Sequence, residues 1–182
     1  MGILLAFAPF IVFAVLDRIT GPLGALSAGA IVSAALILRD VFGRRRMKML
    51  EAGTFLLFAG LALYTWLSGA AWTVIGVRLC VDAGLLLIVL ASMATGRPFT
   101  LQYAHDQLAP EFWEQPEFIR TNYVISGVWA LAFAVMVAAE LALLHVPALP
   151  RRAGILVIIL ALVGAVKFTG WYPNHAKGRA AG

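Results

Sequence analysis

An all-α, polytopic membrane protein with six transmembrane helices is the architecture this chain predicts, and three observations predict it. Hydrophobic residues make up 62% of its 182 positions, and mean hydropathy is +0.92, whereas a soluble domain is only about half apolar. A soluble fold of this length could not hide that much apolar surface, so lipid must be the solvent for most of it. The apolar residues also fall into runs close to the roughly 20 residues a helix needs to cross the hydrocarbon. These runs cover 2–16, 22–38, 50–68, 71–95, 123–145 and 153–172. Finally, they do not alternate polar with apolar as the strands of a membrane β-barrel would. No linker or low-complexity segment divides the chain, which reads as one integral membrane domain over residues 1–182.

The first run has no Lys or Arg before it and no small-residue cleavage site after it, so it reads as a retained span rather than a signal peptide. Ala6 stands where an N-myristoylation signal wants Ser or Thr. A turn at residues 17–22 follows, and its Pro22 suits the first position of a second helix. Gly24, Ala25, Ala28, Gly29, Ala30, Ala34 and Ala35 would let that helix approach its neighbours closely. Both spans are short and would thin the bilayer locally. The loop 39–48 carries Arg39, Arg44, Arg45, Arg46 and Lys48, the most basic short stretch of the chain. The positive-inside rule puts it in the cytoplasm, together with both termini, and its charge suits anionic lipid. Arg151 and Arg152 then fall outside, but the basic loop outweighs them. Trp66 and Trp72 would belong to the outer aromatic belt, and Trp113, Tyr123, Trp171 and Tyr172 to the inner one. The six spans thus pair as three hairpins.

Between the fourth and fifth spans lies a polar interruption, residues 96–120. Phe99, Tyr103 and Leu108 give its first part an apolar side, and His105, Asp106 and Gln107 face away. That pattern predicts a short interfacial helix on the cytoplasmic leaflet. Arg97, Tyr103, His105, Asp106 and Trp113 are the candidate cytoplasmic contact residues.

Charges inside spans are costly, so each is a site hypothesis. Arg78 and Asp82 are one helical turn apart, and Glu140 falls at a similar depth. They predict an intramembrane polar cluster, either an ion-pair network fixing helix register or the site of a small transporter or channel. A transporter needs a continuous polar path. The inner half of the spans offers little beyond Ser33, Ser92, Thr95, Ser126 and Lys167, which favours a scaffold. Lys167 is explained by snorkelling to the inner interface, towards Glu51. The adjacent His105 and Asp106 would point about 100° apart on a helix, so Asp106 does not orient His105 as in a catalytic triad. There is no nucleophile elbow, phosphate loop or metal-spaced histidine pair. A single cysteine, Cys80, rules out an internal disulfide. No catalytic residue, metal or cofactor is expected. The net charge of +5 reads as topology rather than as a nucleic-acid surface.

Several short motifs resemble the intracellular septation protein A (YciB-like) family of bacterial inner-membrane proteins. They are the basic loop feeding 49–63 with its Gly60 stretch, Gly96-Arg97-Pro98-Phe99, Pro110 with Trp113, Asn122 with Trp129 and Phe133, and Lys167-Phe168. The likeness covers roughly residues 40–170, with a longer, more aromatic loop at 99–117 than that family has. It implies a non-enzymatic protein of the bacterial inner membrane, acting in cell-envelope maintenance or septation through other envelope membrane proteins.

Overall fold

In a computed structural model the chain is described over residues 5–44, 46–106, 109–146 and 148–180, with the backbone alone at 112 and 176–180. Residues 1–4 of the first expected span, Arg45 of the basic loop, and Gln107 and Leu108 of the interruption lie outside the described residues. Among the described residues six α-helices follow one another: α1 Ala8–Phe42, α2 Met49–Ser68, α3 Val74–Ala94, α4 Phe99–His105, α5 Pro116–His145 and α6 Arg151–Ala180. A 3-10 turn, Pro110–Phe112, precedes α5. The described residues contain no strand, as expected where exposed backbone must satisfy its own hydrogen bonds in lipid. Five of the helices, all but α4, are long and apolar enough to cross a membrane.

The expected turn at 17–22 narrows to one residue. Gly21, at φ 76° and ψ 175°, is the non-helical position within α1, where two helical arms meet. That backbone is open to glycine and strained for residues with a Cβ. Pro22 follows, and its missing N–H costs nothing at the start of an arm. Asp17 and Thr20, assigned to the turn from sequence, are helical instead, and the Thr20 hydroxyl donates to the Leu16 carbonyl at 3.1 Å. At other ends the helices outrun their apolar runs. α5 starts at Pro116, with Gln115 extended and Glu117 in its first turn, well before the run that begins at Tyr123. α6 carries on through Pro173. A helix end needs backbone and capping chemistry, and hydropathy does not report it.

The chain forms two compact units, one ending at Ile88 and the other beginning at Val89, with the division inside α3. In the first unit Phe58 of α2 is fully buried, in a core with Phe13, Ala25, Leu26, Val77 and Val81. Its ring lies 5.1 Å from that of Phe10 and 5.6 Å from that of Phe13. A Cβ placed on Gly29 would meet the same ring at 2.8 Å. Similar close approaches occur between α2 and α3, where a Cβ on Gly53 would meet Ile88 at 2.9 Å and one on Gly84 would meet Leu57 at 2.3 Å. In the second unit α5 packs on α6. The Trp129 indole N–H donates to the Thr169 hydroxyl at 2.9 Å, joining the two helices.

Because three atoms of a rigid, buried ring already crowd Gly29, Gly29→Ala should lower stability by about 1–3 kcal/mol through overpacking. Combining it with Phe58→Leu should restore part of that loss. Gly60→Ala, which meets nothing within 4 Å, should be neutral or better. Thermal unfolding in detergent measures all three, and a Gly29→Ala variant as stable as the parent would contradict the close packing.

Candidate functional site

The most concentrated charge in the described residues joins the end of α1 to the start of α2. Arg39 and Asp40 occupy the last turn of α1, Lys48 caps α2, and Glu51 stands in its first turn. The Asp40, Glu51 and Lys48 side chains are only 1%, 2% and 4% exposed. Lys48 Nζ lies 2.5 Å from Asp40 Oδ2 and 4.0 Å from Glu51 Oε1. Half-exposed Arg39 completes the group, donating from Nε at 3.0 Å and Nη2 at 2.8 Å to Asp40 Oδ1 and lying 3.8 Å from Glu51. Among the described residues two acids face two bases, and burial favours such compensation, since each uncompensated ion would cost several kcal/mol. Glu51 also complements the positive end of α2, and Arg39 the negative end of α1. The chain leaves the cluster through Arg44, held at φ 52°, with its N–H donating to the Val41 carbonyl at 3.1 Å. Arg44 and Arg46 are exposed.

The sequence holds a signal for this cluster. Asp40 is an acid in an otherwise basic loop, and Lys48 precedes Glu51 by three residues, a spacing that faces the two together. Glu51 stands beside Lys48 and Arg39.

Of the expected polar cluster, Arg78 lies on α3 with its Nε 3.5 Å from Asp17 Oδ2. Asp17 has no exposed side-chain surface, and neither of its oxygens makes a hydrogen bond, nor does Arg78 Nε. The pair is coulombic and loose. Asp82 lies four residues further along α3, half-buried, while Glu140 is buried on α5 in the second unit.

The loop is a folded element. The Ser92 hydroxyl donates to the Val89 carbonyl at 2.7 Å and accepts from the Phe99 N–H at 3.1 Å. On α4, the Thr100 hydroxyl donates to the Asn122 carbonyl at 2.8 Å and shares a hydrogen bond of 2.8 Å with Ser126, tying α4 to α5. Phe99 and Tyr103, assigned to the membrane surface, are buried by protein instead, as are Thr100 and Leu101. The amphipathic pattern is present, but α5, not lipid, covers its apolar face. Beyond it, the His105 ring stacks on Trp113 at 4.5 Å and on Phe118 at 5.9 Å. Arg97 and Asp106 are exposed, and so are Glu111, Glu114 and Glu117. No group of three or more His, Cys, Asp and Glu able to hold one metal ion occurs among the described residues.

Removing one member of a buried ion-pair cluster strands its partners. Lys48→Met should therefore cost about 3–5 kcal/mol, while Asp40→Asn with Lys48→Met should cost less than the sum of the two single losses. Arg46→Met, on the exposed side of the loop, should stay within about 0.5 kcal/mol of the parent. Unfolding in detergent measures the cycle, and strictly additive losses would count against a direct Lys48–Asp40 coupling.

Compared with protein-family models, with curated proteins and with solved structures, the chain matches none.

Proposed function

We propose that this chain is a non-enzymatic scaffold of the bacterial inner membrane, contacting other envelope membrane proteins through the acidic loop between α3 and α5. One observation carries the reading. The loop is fixed from within, by the Ser92–Phe99 and Thr100–Ser126 hydrogen bonds and the His105–Trp113 stack, and yet Asp106, Glu111, Glu114 and Glu117 all remain exposed. Acids carried on segments already held in place have little ordering entropy left to lose when a basic partner docks. The Thr100–Ser126 and Trp129–Thr169 hydrogen bonds support the same reading, because they join segments to one another. The assignment to envelope maintenance or septation comes from the resemblance to the intracellular septation protein A family.

In this reading the chain crosses the membrane six times, as three hairpins, with both termini, the basic loop and the acidic loop in the cytoplasm. The two arms of α1 then cross separately. A straight helix would hold Phe10 and Gly29 about 28 Å apart at 1.5 Å per residue, whereas the single ring of Phe58 lies against both. The loose Arg78–Asp17 pair favours the second reading, a small transporter or channel in which Arg78 handles an ion.

Reporter fusions at Gly43 and Asp106 test the topology. Both should report the cytoplasm, and periplasmic activity at either would overturn it. Charge reversal tests the contact surface: Glu111→Lys with Glu114→Lys should leave the melting temperature unchanged and abolish co-purification of the native partners. If the same proteins co-purify with the variant, the loop is only a lid on the second unit.

A further inference from the structure

The second unit carries a groove of about 360 Å³ between α5 and α6, large enough for part of a small-molecule ligand. Val128, Leu131 and Val135 form one wall, and Val157, Leu160 and Gly164 the other. All of these are aliphatic or glycine. The groove exists because the chain offers little side chain there. A Cβ on Gly164 would meet nothing within 4 Å, and Ala132, Ala161 and Ala165 also line it.

The groove has one charged end. On α6, Leu160, Gly164, Lys167 and Trp171 recur at spacings of four, three and four residues, so they share one face. Leu160 is 62% and Trp171 54% exposed, and Lys167 is exposed as well. The α6 wall of the groove ends at Gly164 and Ala165, and Lys167 is the next residue on the face that Leu160 and Gly164 share. The groove thus runs along the axis for about two helical turns and ends beside an ammonium, with an indole one turn beyond. Aliphatic walls, then a cation, then an interfacial tryptophan reproduce the order of an anionic lipid from acyl chain to headgroup.

We propose that this groove is a binding site for one anionic phospholipid, with an acyl chain between α5 and α6 and its phosphate held by Lys167. The site rests on the five apolar helices lying in a membrane, and it does not depend on the scaffold role. Snorkelling alone explains an exposed lysine near a span end. It does not explain why the aliphatic groove ends at that lysine.

The test uses the full chain, extracted from membranes in mild detergent and titrated with phosphatidylglycerol or phosphatidylcholine of the same chain length. Native mass spectrometry counts the lipids retained. The parent should keep one phosphatidylglycerol and hold it at least 10-fold more tightly than phosphatidylcholine. Lys167→Gln should bring the first lipid down to the level of the second. Gly164→Leu should fill the groove and lose both, and Leu160→Trp does the same from the exposed wall should Gly164→Leu fail to fold. Gly60→Leu, in the first unit, should retain lipid as the parent does. Equal retention of the two lipids, or retention unchanged by both Lys167→Gln and the groove-filling variants, would overturn the proposal. So would a dimer that Gly164→Leu converts to monomer without loss of lipid, because the groove would then be an interface between copies. A chain found in the soluble fraction would instead sink the membrane reading itself.

Discussion

The contact of Phe58 with Gly29 sets the geometry on which the first unit depends. Helices surrounded by lipid gain no hydrophobic advantage from meeting one another, because the tails they leave are as apolar as the side chains they join. Close fit and buried polar contacts must hold them together instead. Glycine supplies the fit three times in this unit, at Gly29 against Phe58, Gly53 against Ile88 and Gly84 against Leu57. With those surfaces in contact, polar residues distant in sequence come within reach. Asp17 can meet Arg78, and the end of α1 comes close enough to the start of α2 for Lys48 to reach Asp40.

The second unit uses polar groups differently. Ser92, Thr100, Asn122 and Ser126 are buried, and each is hydrogen-bonded to a neighbouring segment or to its own helix. Together they fasten the short α4 to α5 and leave few hydroxyls to line a water path. Trp129 does the same between α5 and α6 through Thr169. Between α5 and α6, where aliphatic and small residues replace these polar groups, the groove opens.

The helices were legible in the sequence because lipid leaves the backbone no alternative, and the apolar runs located each of the five long ones. Their ends were not, since α5 begins among Glu117 and Arg120, residues that hydropathy assigns to a loop. The site was legible only in part, for one physical reason. Periodicity shows that a helix has an apolar side but not whether lipid or protein covers it. Phe99 and Tyr103 looked like membrane anchors for that reason and are buried by protein. Local spacing is visible in a sequence, as for Arg78 and Asp82, while the approach of Asp17 to Arg78 depends on how α1 bends at Gly21. The Asp40–Lys48 pair, eight residues apart across a helix end, lay at the edge of what spacing can reveal.

Gly21 also makes the first unit intolerant of a change in length. A long surface loop absorbs an added residue by bulging, but within α1 only one position departs from the helix. An extra residue between Phe13 and Gly21 would turn the first part of α1 by about 100° about its own axis, because the helix has 3.6 residues per turn. Phe13 would swing away from Phe58, while Asp17, if it followed the rotation, would leave Arg78. The same insertion between Gly21 and Gly29 would bring a bulkier residue to the face of the Phe58 ring. The number of residues on each side of that glycine is therefore as much a part of the design as their identity.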